Sequence, residues 1–373
     1  MAAMTTTEVS ERPRDGALPG YVVVMLGVAA TVAALVLMRQ FSGVIGPVFL
    51  ALNLIIAAYP IHRWLVGKGA PAWLAATVMA LTVIVILLLA VWALVWTVNG
   101  LVTELTKPRY TAQYQTIYRG VTDFLAGFNI NLNNIGLTDV VTTINPSTIT
   151  SAITTVLSRT SGILGVVAII VLTMVFLAMD GPSIGSRLRI VGLVNPHVGQ
   201  GIGDFTHGVR RYWVVTTVFG LIVATLDGIA LAIMQVPLAL AWAVLSFLTN
   251  YIPNVGFFIG LVPPALLALF IGGWKLALAV VVVYAVLNVV IQSVIQPRFT
   301  GESVGISVTV SFVSLLLWGF VLGPLGTLLA LPMTLLAKAL LVDVDPKARW
   351  IAALISSRPD RVLAAPEEDD DDS

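Results

Sequence analysis

The sequence predicts an all-α, polytopic membrane protein of about eight membrane segments, two of them broken into re-entrant helical hairpins. Three observations carry this. The 373 residues are 58% hydrophobic and only 10% charged, whereas soluble domains carry roughly 25% charged residues. The apolar residues fall into runs of the length that a bilayer core of ~30 Å demands of a helix. Two of those runs, 237–272 and 306–338, are free of charge apart from Lys338 at the end of the second, and both are interrupted near the middle by Gly, Pro and Asn. Lipid cannot satisfy the backbone groups such an interruption frees, so each break belongs against protein or a water-filled cavity.

Residues 1–20 are polar and read as a disordered cytoplasmic N-terminus. Residues 21–98 hold three helices. Tyr21–Met38 is too long for a signal-peptide core and lacks a convincing cleavage site, so it reads as a retained anchor. Phe41–Tyr59 follows after only Arg39 and Gln40, which makes a tight helical pair. Ala72–Val98 is the third span, with Trp92 and Trp96 placed as interfacial belt residues. Residues 99–161 turn rich in Thr, Asn, Gln and Tyr and read as a small, mostly helical extracytoplasmic segment.

Residues 162–342 form the membrane core. Gly162–Met179 is the fourth span and ends in the turn signal Asp180-Gly181-Pro182. Residues 183–212 carry Arg187, Arg189, Arg210 and Arg211 and read as cytoplasmic, interfacial helix. Trp213–Met234 is the fifth span; the charge-free stretch 237–272 follows, broken at Asn250-Tyr251-Ile252-Pro253-Asn254-Val255-Gly256 and again at Pro263-Pro264. Trp274–Ile295 is the next span, with Asn288, Gln292 and Gln296 on one stripe at spacing of four. In 306–338 the break holds Gly319, Gly323, Pro324 and Gly326. Residues 343–363 read as an interfacial helix, and PEEDDDDS ends the chain as a disordered acidic tail.

Positive charge orients the whole. Arg12 and Arg14, then Arg63 and Lys68, then the arginines of 187–211 all fall on one side if the N-terminus is cytoplasmic. Two arrangements then keep Lys338, Lys347 and Arg349 on that side: plain spans throughout, or re-entrant hairpins at 237–272 and 306–338. The second is preferred, because paired broken segments are the best sequence pointer to a transport site.

Asp227 is the only acidic residue in the core of an apolar run. Intramembrane carboxylates are costly and mark ion or proton pathways by default, although a polar anchor between helices is the plainer reading. Asn250, Tyr251, Pro253, Asn254 and Gly256 could bind a hydroxylated solute or a cation through amides and freed carbonyls, or form an ordinary loop. The stripe Asn288, Gln292 and Gln296 could line a path, or tie helices together by hydrogen bonds. Gly256-x-x-x-Gly260 and Gly319-x-x-x-Gly323 are small-residue contact motifs, with packing as their default meaning.

The composition excludes other classes. There is no cysteine, so disulfides, thiol catalysis and Cys-ligated metals are out. His62, His197 and His207 have no metal-ligand spacing. No GxSxG, HExxH or Walker A lysine occurs, so the chain reads as neither an enzyme nor an ATP-driven pump, and no cofactor is expected. Basic residues come singly or in pairs, unlike a nucleic-acid footprint.

The order NYIPNVG (250–256), a polar-faced helix ending QPRFTGESVG (296–305), and LLLWGFVLGPLGTLLALPMTLLAK (315–338) resembles the autoinducer-2 exporter (PerM-type permease) family. The resemblance extends over most of the chain and is most specific in 250–338. It implies about eight membrane segments in a bacterial cell membrane, cytoplasmic termini, and gradient-driven export of small polar solutes such as autoinducer-2. Some relatives are described as sodium/proton antiporters, which makes H⁺ or Na⁺ a second candidate partner. A homo-oligomer is also implied. Val308 stands where the family pattern has a proline, which leaves the entry to the last hairpin less well defined. A third reading is a membrane scaffold that recruits partners through 99–161 or the acidic tail; it has no need of two broken apolar stretches.

Overall fold

The computed structural model describes residues 19–108, 161–252, 255–295 and 306–344, with isolated positions within 110–155 and 348–355. Every regular element among them is helical: α1 (Gly20–Gln40), α2 (Ser42–Gly67), α3 (Ala72–Leu105), α4 (Ser161–Val194), α5 (Pro196–Ile233), α6 (Ala239–Thr249), α7 (Val255–Asn288), α8 (Val308–Leu322), α9 (Pro324–Leu328) and α10 (Ala330–Leu341). α7 continues as a π-helix over Val289–Ile295. Five helices are long and apolar enough to cross a membrane. Most of residues 99–161, Pro253, Asn254, Gln296 and the tail lie outside the described residues.

Several sequence signals resolve differently in space. Asp180-Gly181-Pro182 does not end α4, which runs on to Val194. Hydroxyls of Ser183 and Ser186 donate to the carbonyls of Asp180 and Ser183 across that turn, 2.8 Å each, helping the helix tolerate the proline. Residues 183–212 are extensions of α4 and α5, which meet at Asn195, whose side chain accepts from the Val198 N–H at the start of α5. The boundary at Trp274 is a kink rather than a gap. α7 is helical on either side of Gly273, which sits at φ 69° and so requires glycine.

Both broken stretches fold as helical hairpins. In the first, α6 has 11 residues, ~16 Å of helix, and α7 returns along it. A Cβ at Gly256 would lie 1.8 Å from the Thr249 carbonyl oxygen, so only glycine permits this closure. In the second, α8 turns at Gly323 (φ 67°) into α9 and returns as α10. A Cβ at Gly326 would again stand 1.8 Å from a backbone oxygen, that of Trp318. Across the limbs, the Trp318 indole donates to the Thr334 hydroxyl (3.0 Å), which donates to Ser314 (2.7 Å).

α5 links the two hairpins. Its early part holds the second one: a Cβ at Gly201 would lie 3.0 Å from the Ala339 carbonyl, and one at Gly208 would lie 3.1 Å from Leu335. Its later part holds the first: Gly228 faces Ala243, and Leu231 is buried with Trp242, Leu261 and Tyr284. The two hairpins sit in different apolar cores: Trp318, Leu329 and Met333 pack in one shared with α2, α3, α4 and α5, and Trp242, Leu267 and Phe270 in another. α2, α3 and α4 pack on one another beside this unit, and α1 leans on α8, where Arg39 covers the Phe320 ring at 4.2 Å.

Candidate transport site

The site begins from one polar residue where a helix has ended. Asn250 terminates α6, and its amide donates to the Thr216 carbonyl of α5 at 3.3 Å. Gly220 makes room for it, since a Cβ there would meet the Asn250 amide nitrogen at 2.6 Å. The Asn250 carbonyl oxygen accepts from Gln292 Nε2 at 2.8 Å, and the same nitrogen donates to Asn288 Oδ1 at 2.9 Å. Asn288 in turn donates to the Tyr284 carbonyl at 2.9 Å. Three residues singled out in the sequence thus form one chain of amides joining α5, the first break and the last turns of α7.

Asp227 lies farther along α5 and is fully buried. Ser246 of α6 donates to its Oδ2 at 2.6 Å, while Oδ1 has no partner. The Tyr284 hydroxyl is also buried without a partner, and it lies within electrostatic reach of Asp227. An unsatisfied carboxylate oxygen and an unsatisfied phenol on facing helices are an unfinished polar site, and leaving such groups unpaired costs ~1–3 kcal/mol each. Arg210 and Arg211 are 17 and 16 residues away along α5, ~24–26 Å of helix and beyond reach of Asp227.

Tyr251 faces away from the amide chain. Its hydroxyl shares a 2.8 Å hydrogen bond with Thr217, its carbonyl accepts from the Tyr212 hydroxyl at 2.8 Å, and its ring lies 5.3 Å from that of Trp213. It stands in the wall of an apolar cavity of about 500 Å³ between α2, α3, α5 and α6, to which Leu328 of the second hairpin also contributes. Gly256, Gly319, Gly323, Pro324 and Gly326 shape the two hairpins and do not join the amide chain. Pro253, Asn254 and Gln296 fall outside the described residues.

Sequence reasoning missed Ser246, Tyr284, Thr216 and Gly220. Serine, threonine and glycine are common in apolar helices, and none of these four breaks a hydrophobic run. The spacing Gly220, Ala224, Gly228 is the one usable signal: small residues every fourth position let α6 lie close on α5.

No group of three or more metal-ligating side chains occurs among the described residues. The groups gathered here are amides, carbonyls and hydroxyls around Asn250 and a carboxylate at Asp227.

The chain is 29% identical to a putative transport protein of Haemophilus influenzae over 88% of its own length and 95% of that protein. It is 29% identical to the putative transport protein YhhT of Escherichia coli, over 90% of this chain and 95% of the relative. It is 27% identical to the AI-2 transport protein TqsA of the same organism, again over 90% and 95%. The model of the AI-2E transporter family matches residues 22–344. The chain belongs to the AI-2E transporter family.

Proposed function

We propose that this protein exports a small polar or amphiphilic solute, of the kind autoinducer-2 represents, through two opposed re-entrant hairpins and without ATP. The observation that carries the reading is the packing of both hairpins on α5 from its two ends. The entry of the first lies beside the end of α3, where Gly100 faces Leu238. The second limb of the other ends beside Gly201, near the start of α5. With the N-terminus cytoplasmic, the first hairpin enters from outside and the second from the cytoplasm, giving eight membrane segments. α6, α8 and α10 have 11, 15 and 12 residues, shorter than the ~20 of a full span.

Opposed half-membrane segments meeting near the midplane are where transporters place their substrates. The tip of the first hairpin presents Asn250, which Gln292 of the π-helical end of α7 meets, and amides of this kind suit hydroxyl and carbonyl groups. The relative TqsA is named for AI-2 transport, which supports a polar, oxygen-rich solute.

Efflux of a panel of small polyols and autoinducer-2 from proteoliposomes tests this. The expected result is efflux from wild-type vesicles that Gln292→Leu abolishes. Efflux no faster than from protein-free liposomes across the panel would refute it.

A second reading, a monovalent cation/proton antiporter, is favoured by one feature: the Asp227 oxygen without a partner. It requires proton movement on addition of Na⁺, K⁺ or Li⁺ to the same vesicles.

A further inference from the structure

The cavity beside Tyr251 has a chemistry that the transport path does not use. Its wall is almost wholly apolar, and its volume, about 500 Å³, falls within the ~300–1,000 Å³ typical of small-molecule sites. Leu54, Ala57, Ala58 and Ile61 supply one side from α2. Val214 and Val218 of α5 and Ile86 of α3 flank it and are half or more exposed, so the cavity is open to the hydrocarbon around it.

Only one end is polar. On α5 the lining residues Trp213, Val214, Thr217 and Val218 follow the i, i+3, i+4 rule of one helix face, and Arg210 is the next member of that stripe. Arg210 donates from Nε to the Ile56 carbonyl at 3.4 Å, and its guanidinium stands over the Tyr59 ring, 5.7 Å from its centre. No carboxylate meets it among the described residues. On Tyr59 stacks His62, whose two ring nitrogens are both buried without a partner. Three residues deeper, ~4.5 Å along α5, the Trp213 indole N–H has no acceptor, although the residue is only 8% exposed.

A cation and two orphan imidazole nitrogens next along α5 and α2 from the residues that line the slot, with an orphan indole N–H on a lining residue, call for one kind of molecule. It has an anionic head, an acceptor oxygen below it, and a long apolar tail. We propose that this cavity binds an anionic phospholipid. The phosphate lies at Arg210 and His62, an ester carbonyl accepts from Trp213, and one acyl chain fills the slot against Tyr251 and Leu54. Basic pockets between helices are the places where membrane proteins hold such headgroups. The source is the bilayer itself, because the slot opens sideways along exposed apolar helix faces rather than at a helix end. Because Tyr251 begins the first break, the bound lipid braces the tip of that hairpin.

Photolabelling of the full-length protein tests this independently of any transport. The protein is reconstituted in phosphatidylcholine vesicles doped with phosphatidylglycerol, or with phosphatidylcholine, carrying the same diazirine-bearing acyl chain. Labelled peptides are then mapped by mass spectrometry. The expected result is labelling of α2 and α5 peptides around Leu54 and Trp213 by the phosphatidylglycerol probe. Arg210→Gln should cut it about fivefold, the scale of one arginine against an anionic lipid. Ala90→Phe, which fills the apolar end while leaving Arg210 in place, should cut it as well. Equal labelling by both probes, labelling indifferent to both substitutions, or no labelling of these peptides because another copy covers them would each overturn the proposal.

Discussion

The hydroxyl of Ser246 donates to one carboxylate oxygen of Asp227 at 2.6 Å and leaves the other buried and unpaired. This contact ties the middle of α5 to the first hairpin and separates two roles that Asp227 could have. A polar anchor needs only an acceptor for Ser246; an ion carrier needs the negative charge. Asp227→Asn keeps the first and removes the second. If Asp227 carries the coupling ion, the variant loses cation-dependent proton flux by about tenfold or more, ~1.4 kcal/mol, with little change in melting temperature. A variant that melts earlier and transports normally per folded molecule makes Asp227 an anchor.

Ser246→Ala probes the same contact from the other partner. Removing the donor leaves a buried carboxylate with no hydrogen bond on either oxygen, at a cost of ~1–3 kcal/mol. The expected result is a lower melting temperature in detergent, restored by adding Asp227→Asn. Failure of the second change to restore stability would mean that Ser246 acts through packing alone.

The amide chain makes a prediction about coupling. Gln292 Nε2 donates to Asn250 at 2.8 Å and Asn288 at 2.9 Å, so the two ends of the chain share one nitrogen. In a cycle of Asn250→Leu, Gln292→Leu and the double variant, the stability effects should fall short of additivity by ~0.6–2 kcal/mol. Additive effects, measured by thermal unfolding, would show that the amides do not cooperate.

The parts of this architecture that could be read from the chain are those that violate a one-dimensional rule. Asp227, Asn250 and Gln292 stand out because polar groups interrupt apolar runs, and Gly323-Pro324 because it breaks a helix. What could not be read depends on which helices touch and in what register. Gly220 looks like any helical glycine until Asn250 is found 2.6 Å from where its Cβ would be. Tyr284 reads as core aromatic until its hydroxyl is found unpaired near Asp227. The π-helical end of α7 also escaped: a spacing of four across 288–296 assumes a regular α-helix, and Val289–Ile295 is not one. Asp180-Gly181-Pro182 misled in the opposite direction, as a local turn signal overruled by a continuous helix.

The two hairpin closures give the last prediction, and it needs no knowledge of substrate. Gly256 and Gly326 each press on a backbone carbonyl of the opposite limb, where an added Cβ would stand 1.8 Å from oxygen. Backbone cannot rotate away as a side-chain tip can, so Ala at either position must push the limbs apart. Overpacking of this kind costs ~1–3 kcal/mol. Gly165 in α4 is the control, because nothing lies within 4 Å of its added Cβ and Ala favours helix over Gly by up to ~1 kcal/mol. Gly256→Ala and Gly326→Ala should therefore lower the melting temperature and cut solute efflux, while Gly165→Ala leaves both unchanged or raises stability. If all three variants behave alike, the limbs of the hairpins are not in contact at these carbonyls and the closure described for them is wrong.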